Sequence, residues 1–228
     1  MKGFKDLLTY DKSIWLYPNG FCLVDSSSEL RQQMFFYADG DILSVKALEF
    51  FKTSTSDAPN VEIVVANEPP VIVPKDLYQE EDAMKFVALQ YEVDKVTRAF
   101  ACDMEKYKLI FFLYQNEENA LARLSFPQKY TSYWDLIYRN VKAVSHPRNL
   151  IWLAEHKQYV DVYVEKNAEV MLLTRFDYVT AEDELYHVLN LRHQFQLGEA
   201  EVRIVSDNSR SPFKTLIKKY LNNYSWID

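Results

Sequence analysis

Apolar and polar positions alternate in short bursts at the start of the chain. "SIWLY" and "FCLV" flank the triplet Pro18, Asn19 and Gly20, and "MFFYA" follows the polar stretch "DSSSELRQ". Short extended runs separated by a tight-turn signal and a polar interval predict three antiparallel strands in a meander. In "DILSVKALEFFK" the period changes. Leu43, Ala47, Phe50 and Phe51 recur at helical spacing behind Asp41, a capping residue. After a polar loop with Ser54, Ser56 and Pro59, the apolar run "VEIVVA" reads as a buried strand by its β-branched content.

The same order returns later. "LIWLAEHK" echoes "SIWLYPNG", and Trp152 stands 137 residues after Trp15. In "YVDVYV", Val160, Val162 and Val164 alternate with Tyr159, Asp161 and Tyr163, which predicts a strand with one apolar face. "EKNA" makes a turn and "EVMLLTRF" a third strand. "TAEDELYHVLNLRHQFQLG" is the best helix in the chain. Thr180 and Asp183 form its capping box, Leu185, Val188, Leu189 and Phe195 its stripe, and Gly198 its stop. "EVRIVSDN" mirrors "VEIVVANE". The pattern therefore predicts a βββαβ unit used twice. A final helix opens at Ser211 and Pro212 and runs through Phe213, Leu216, Ile217, Tyr220, Leu221 and Tyr224. Lys214, Lys218 and Lys219 lie off that stripe and read as a solvated face.

Between the repeats the grammar differs. "PPVIVP" is extended and "EEDAMKFVALQY" helical. "VTRAFACD" and "KYKLIFFLY" form a hairpin about "MEK", and "NEENALARL" is a short helix. This predicts a smaller β-α-β-β-α lobe at about 69–128. With the helix "SYWDLIYRNVKAV" it completes a first half over 1–145, and 146–228 forms the second half. The class is α/β, or mixed α+β.

Composition narrows function more than fold. Across 228 residues, 26 basic against 33 acidic residues give a net charge of −7, which argues against a nucleic-acid surface. No apolar run approaches the length of a membrane span, and "MKGFKDLLTY" has no signal-peptide core, so a cytoplasmic protein is expected. Cys22 and Cys102 lie far apart with no CxxC and read as free thiols.

The two βββαβ units with an inserted lobe resemble the actin-like ATPase superfamily, related to the ribonuclease H-like fold, and most of all its FtsA- and PilM-type variants. "TRFDYVTAEDELYHVLNLRHQFQL", with "YVDVYV" before it and "FKTLIKKYL" after it, is similar more closely to a bacterial domain family of unknown function with that fold. The resemblance implies packing motifs but carries over no catalytic residue. In active members of the superfamily, the first hairpin of each half holds phosphate. That work needs turn glycines, backbone donors and a carboxylate that organises Mg²⁺.

Here the first hairpin carries Asn19 and Gly20 but also Pro18, which lacks a donor, and its first strand bears no carboxylate. The second carries Glu155, His156 and Lys157 and no glycine. The whole chain has four glycines, at 3, 20, 40 and 198. Catalytic, cofactor-binding and metal residues are accordingly expected to be none. Asp25 and Asp161 are expected to face solvent, which removes a two-metal nuclease site. His187 and His193 lie on opposite faces of one helix, and His146 and His156 are isolated. Tyr159 and Tyr163 either pack in the core or line a half-exposed face. Two functions lead: a non-catalytic scaffold or adaptor with a protein or peptide partner, or a divergent nucleotide-binding protein or ATPase, with Lys157 and Asn208 as candidates for binding nucleotide without hydrolysis. A hydrolase of unrecognised type stands third.

Overall fold

The computed structural model describes residues 8–25, 31–36, 60–124, 128–144, 148–206 and 211–227, with backbone alone for 31–36. The expected helix at 41–52 lies outside them. The chain divides into two compact units between Asn140 and Val141.

The first unit is built on a five-stranded sheet. Strands β1 (Lys12–Tyr17), β2 (Gly20–Asp25) and β3 (Arg31–Phe36) form the antiparallel meander. The parallel neighbours β4 (Val61–Val65) and β8 (Gln128–Ser132) extend it in the order β3-β2-β1-β4-β8. A central strand covered on both faces reads as a continuous apolar run, and every residue of "SIWLY" and "VEIVV" is buried. Trp15, 1% exposed, sits mid-sheet between Cys22 and Val64, and its indole N–H donates to Ser13 Oγ at 2.8 Å.

The inserted lobe takes its β-α-β-β-α form. β5 (Val71–Pro74), β6 (Val96–Met104) and β7 (Tyr107–Tyr114) make an antiparallel sheet in the order β5-β7-β6. Helix α1 (Ala83–Ala88) precedes the hairpin and α2 (Gln115–Leu121) follows it. Val71, Val73, Val87, Val96, Ile110 and Phe112 form the lobe's own core. Helix α3 (Tyr133–Ala143) then buries Trp134, Leu136 and Ile137.

The second unit repeats the sheet order. β9 (Leu150–Glu155), β10 (Tyr159–Lys166) and β11 (Glu169–Asp177) form a meander, and β12 (Glu201–Ser206) and β13 (Tyr224–Ile227) lie parallel beyond β9, giving β11-β10-β9-β12-β13. Trp152, also 1% exposed, holds the place of Trp15, between Tyr163 and Arg203. Helices α4 (Ala181–Gln194) and α5 (Pro212–Tyr220) cover the sheet with Leu185, Val188, Leu191, Phe213 and Ile217.

Both helix starts follow the sequence. Thr180 Oγ1 accepts from the Asp183 N–H at 3.2 Å while Asp183 accepts from the Thr180 N–H at 2.9 Å, and Ser211 Oγ accepts from the Phe213 N–H at 3.2 Å. The ends differ from expectation. Helix α4 stops at a Schellman turn with Gln196 at φ 53°, two residues before Gly198, because the Leu197 N–H reaches Arg192 O and the Gln196 N–H reaches His193 O. Leu189 points outward, and Glu184 is buried in the first turn instead. Tyr224 is not helical. The chain leaves α5 after Tyr220, and Val202 N–H bonds Asn223 O, which seats "YSWI" as β13.

Candidate functional site

In the first unit a groove of about 780 Å³ opens between the inserted lobe and the five-stranded sheet. Its walls come from four places in the sequence: Pro18 in the β1–β2 turn, Asn67 and Glu68 just after β4, Gln90 to Lys95 after α1, and Tyr114 to Asn119 at the start of α2. Its volume is typical of a binding site.

The floor is a fixed polar network. Glu117 is 2% exposed, and its Oε2 accepts from Asn67 Nδ2 at 2.8 Å and from the Tyr114 N–H at 2.9 Å. Asn67 Nδ2 also donates to Phe112 O at 3.1 Å, and Asn67 Oδ1 accepts from the Glu68 N–H at 2.8 Å. Asn67 thus joins the end of the main sheet to the lobe. Burial pushes the Glu117 carboxyl up to about 7, against the lowering effect of its bonds from Tyr114 and Asn67. Tyr91 and Tyr114 are anchored by their hydroxyls, the first donating to Pro69 O at 2.7 Å and the second to Glu68 Oε1 at 3.2 Å. Behind them Phe112 packs 4.9 Å from Tyr91 and 5.4 Å from Tyr114, ring centre to ring centre. On the rim, Lys95 pairs with Glu92 at 3.2 Å.

The hairpin corner of the second unit is built differently. Asp161 was expected to face solvent. It is instead fully buried, with Arg175 Nε 2.6 Å from its Oδ1 and Nη2 3.2 Å from its Oδ2, and with His156 Nε2 3.0 Å from Oδ2. Burial raises the Asp161 carboxyl, but Arg175 and His156 more than offset this and hold it below the usual carboxylate range. The Arg175 guanidinium lies 4.2 Å from the Tyr159 ring centre, and His156 stacks on the same ring at 4.5 Å. Tyr159 and Tyr163 are both core residues, so β10 is buried on both faces rather than one.

The corner's backbone is committed as well: the His156 N–H donates to Tyr159 O at 2.9 Å, and His156 O accepts from the Tyr178 hydroxyl. Nearby, Glu155 Oε1 accepts from the Ser211 hydroxyl. Glu184 is fully buried, and among the described residues neither of its carboxylate oxygens has a hydrogen-bond partner. Burial, and then the charge of Glu155, raise its carboxyl to about 8.

The other candidates stay apart. Lys157 is exposed in the β9–β10 turn, and Asn208 and His146 lie outside the described residues. His187 stacks on Phe176 at 4.4 Å while His193 is exposed at the helix end. Cys22 and Cys102 form no disulfide, and burial pushes the Cys102 thiol up to about 12, which disfavours the thiolate. Among the described residues, no three His, Cys, Asp or Glu side chains converge as metal ligands, and no helix is long and apolar enough to cross a membrane.

A model of a protein family of unknown function, DUF3822, matches residues 21–224. The chain belongs to that family. No curated protein matches it. Among solved structures, it is similar to a Bacteroides thetaiotaomicron protein with an actin-like ATPase fold and unknown function, at 18% identity and a TM-score of 0.69, covering 98% of this chain and 93% of that one. The PilM–PilN type IV pilus biogenesis complex follows at 12% identity and a TM-score of 0.62, covering 95% and 88%. Likeness at these identities shows the fold, and the fold is that of the actin-like ATPases.

That fold implies ATP and magnesium, whose phosphates the two first hairpins would hold. The described corners do not fit the group. Pro18 offers no N–H, and Gly20 is paired in register with both Tyr17 and Phe36. At the second corner the His156 N–H is spent within the turn, and the buried Asp161 carboxylate is paired with Arg175. The groove was not foreseen from sequence. Its only early signals were Pro18 in the turn and the lobe's separate grammar.

Proposed function

We propose that this protein is a non-catalytic scaffold or adaptor of actin-like fold, and that it binds a protein or peptide partner in the groove of its first unit. One observation carries this reading: the groove is open and its floor is already ordered by Asn67 and Glu117, while the second hairpin corner is filled by the Asp161–Arg175–His156 cluster. A related fold, PilM, is known in complex with a protein, PilN. The shared sheet order of the two units, with a tryptophan at the same place in each, favours their descent from one duplicated unit.

The test is photo-crosslinking in the native cells from Gln90 and Asn119 on the groove rim, with Lys218, exposed on α5 of the second unit, as the control. A specific protein captured from the two rim positions and not from Lys218 is the expected result. No adduct, or the same adducts from all three, overturns the proposal. Addition of Mg-ATP at millimolar concentration is expected to leave the Tm unchanged, whereas ligand at about a hundred times its dissociation constant would add about 2.7 kcal/mol.

A further inference from the structure

The groove's charge is one-sided. Among the described residues that line it, Glu68, Glu92 and Asp94 are acidic above the buried Glu117, and Lys95 is the one cation. The Lys95–Glu92 pair is largely exposed, and such pairs contribute little, so neither side chain is tied down. Two tyrosines, Tyr91 and Tyr114, line the same groove, each tethered by its hydroxyl. Carboxylates beside fixed aromatic rings suit a guanidinium or ammonium group, which gains from both the charge and the ring quadrupole. An anionic or wholly apolar occupant would be repelled by the first or leave the floor's polar groups buried against it.

Resting on the partner-binding reading above, we propose that the groove recognises an arginine or lysine side chain within an extended segment of the partner protein. The cation enters between Tyr91 and Tyr114 and meets the carboxylates of the rim. Such binding weakens as salt rises, because the rim is exposed to screening.

A labelled dodecapeptide of alternating leucine and arginine is the probe, read by fluorescence anisotropy against the same peptide with glutamine for arginine. Because the protein is acidic throughout, the decisive comparison is between two variants of equal net charge. Glu92→Gln with Asp94→Asn removes groove charge. Glu182→Gln with Glu199→Gln removes exposed charge from the second unit. Both pairs are on the surface, and unchanged Tm values verify their folds. The groove pair is expected to weaken the arginine peptide at least tenfold and the control pair less than twofold. Equal weakening by both pairs, or by neither, overturns the cation site. A crosslinked partner that still binds after its arginines and lysines become glutamine also overturns it, while leaving the partner reading intact. Absence of any crosslinked partner strikes the partner reading itself.

Discussion

The two units place different residues on the same row of the same sheet. In the first unit the row behind the hairpin runs Tyr17, Gly20, Phe36, and in the second it runs Ala154, Asp161, Arg175. A residue without a side chain stands where the other unit buries a charge. The second corner is consequently closed by its own ion pair and by His156. In the first, the turn residue Pro18 is left lining an open groove. One sheet order thus supports one filled corner and one that borders an open groove, and the difference lies in the corner side chains together with the lobe segments that wall the groove.

Breaking the filled corner has the largest expected effect. Arg175→Met leaves Asp161 buried without its main counter-charge and should cost about 3–5 kcal/mol in urea unfolding. The double variant Asp161→Gly, Arg175→Phe copies the first unit's row. It should lose clearly less than the sum of the singles, since an ion pair removed as a pair forfeits mainly packing. A strictly additive result would mean that the two residues are not coupled.

Glu184 sharpens the contrast through pH. Its carboxyl is raised from 4.5 to about 8, so the folded state holds the proton more tightly than the unfolded chain. The stability this supplies is complete below pH 4.5 and is lost progressively as pH rises toward 8. Glu184→Gln should flatten that decline and raise stability at pH 8 by about 1–3 kcal/mol, measured as denaturation midpoints across the range. A wild-type stability that climbs between pH 5 and 8 by the same amount in both proteins would contradict the assignment.

Two smaller effects concern the second unit's frame. Thr180→Ala removes the hydroxyl that accepts from the Asp183 N–H and should cost about 1 kcal/mol. In the β10–β11 turn both Asn167 (φ 54°) and Ala168 (φ 67°) are left-handed, a geometry in which Asn-Gly is preferred. Ala168→Gly should therefore stabilise by about 1 kcal/mol, seen as a higher Tm. A loss would show that the alanine methyl makes contacts worth more than its strain.

Much of this architecture was legible in the chain because its signals are local. The meanders, the lobe's β-α-β-β-α order and the caps at Thr180 and Ser211 all rest on neighbours within a few residues. The fifth strands were not legible. "QKYTS" and "YSWI" are short and pair in parallel with strands distant in sequence, so nothing nearby marks them; Tyr224 even fits the preceding helical stripe. Alternation in "YVDVYV" gives two faces but cannot say that both are covered. The exposure of Asp161 turned on Arg175, fourteen residues on, directly across the ladder. The groove was the least legible feature, since its walls come from four separated segments.

Glu117 is one carboxylate with two duties: it accepts the first free N–H of a helix, and it grips the asparagine at the end of the neighbouring sheet. The mouth beside it is therefore set during folding, and the ordering entropy is spent before any visitor arrives. A guest would meet a ready-made receptacle, and its residence time would reflect fit more than the labour of shaping its host.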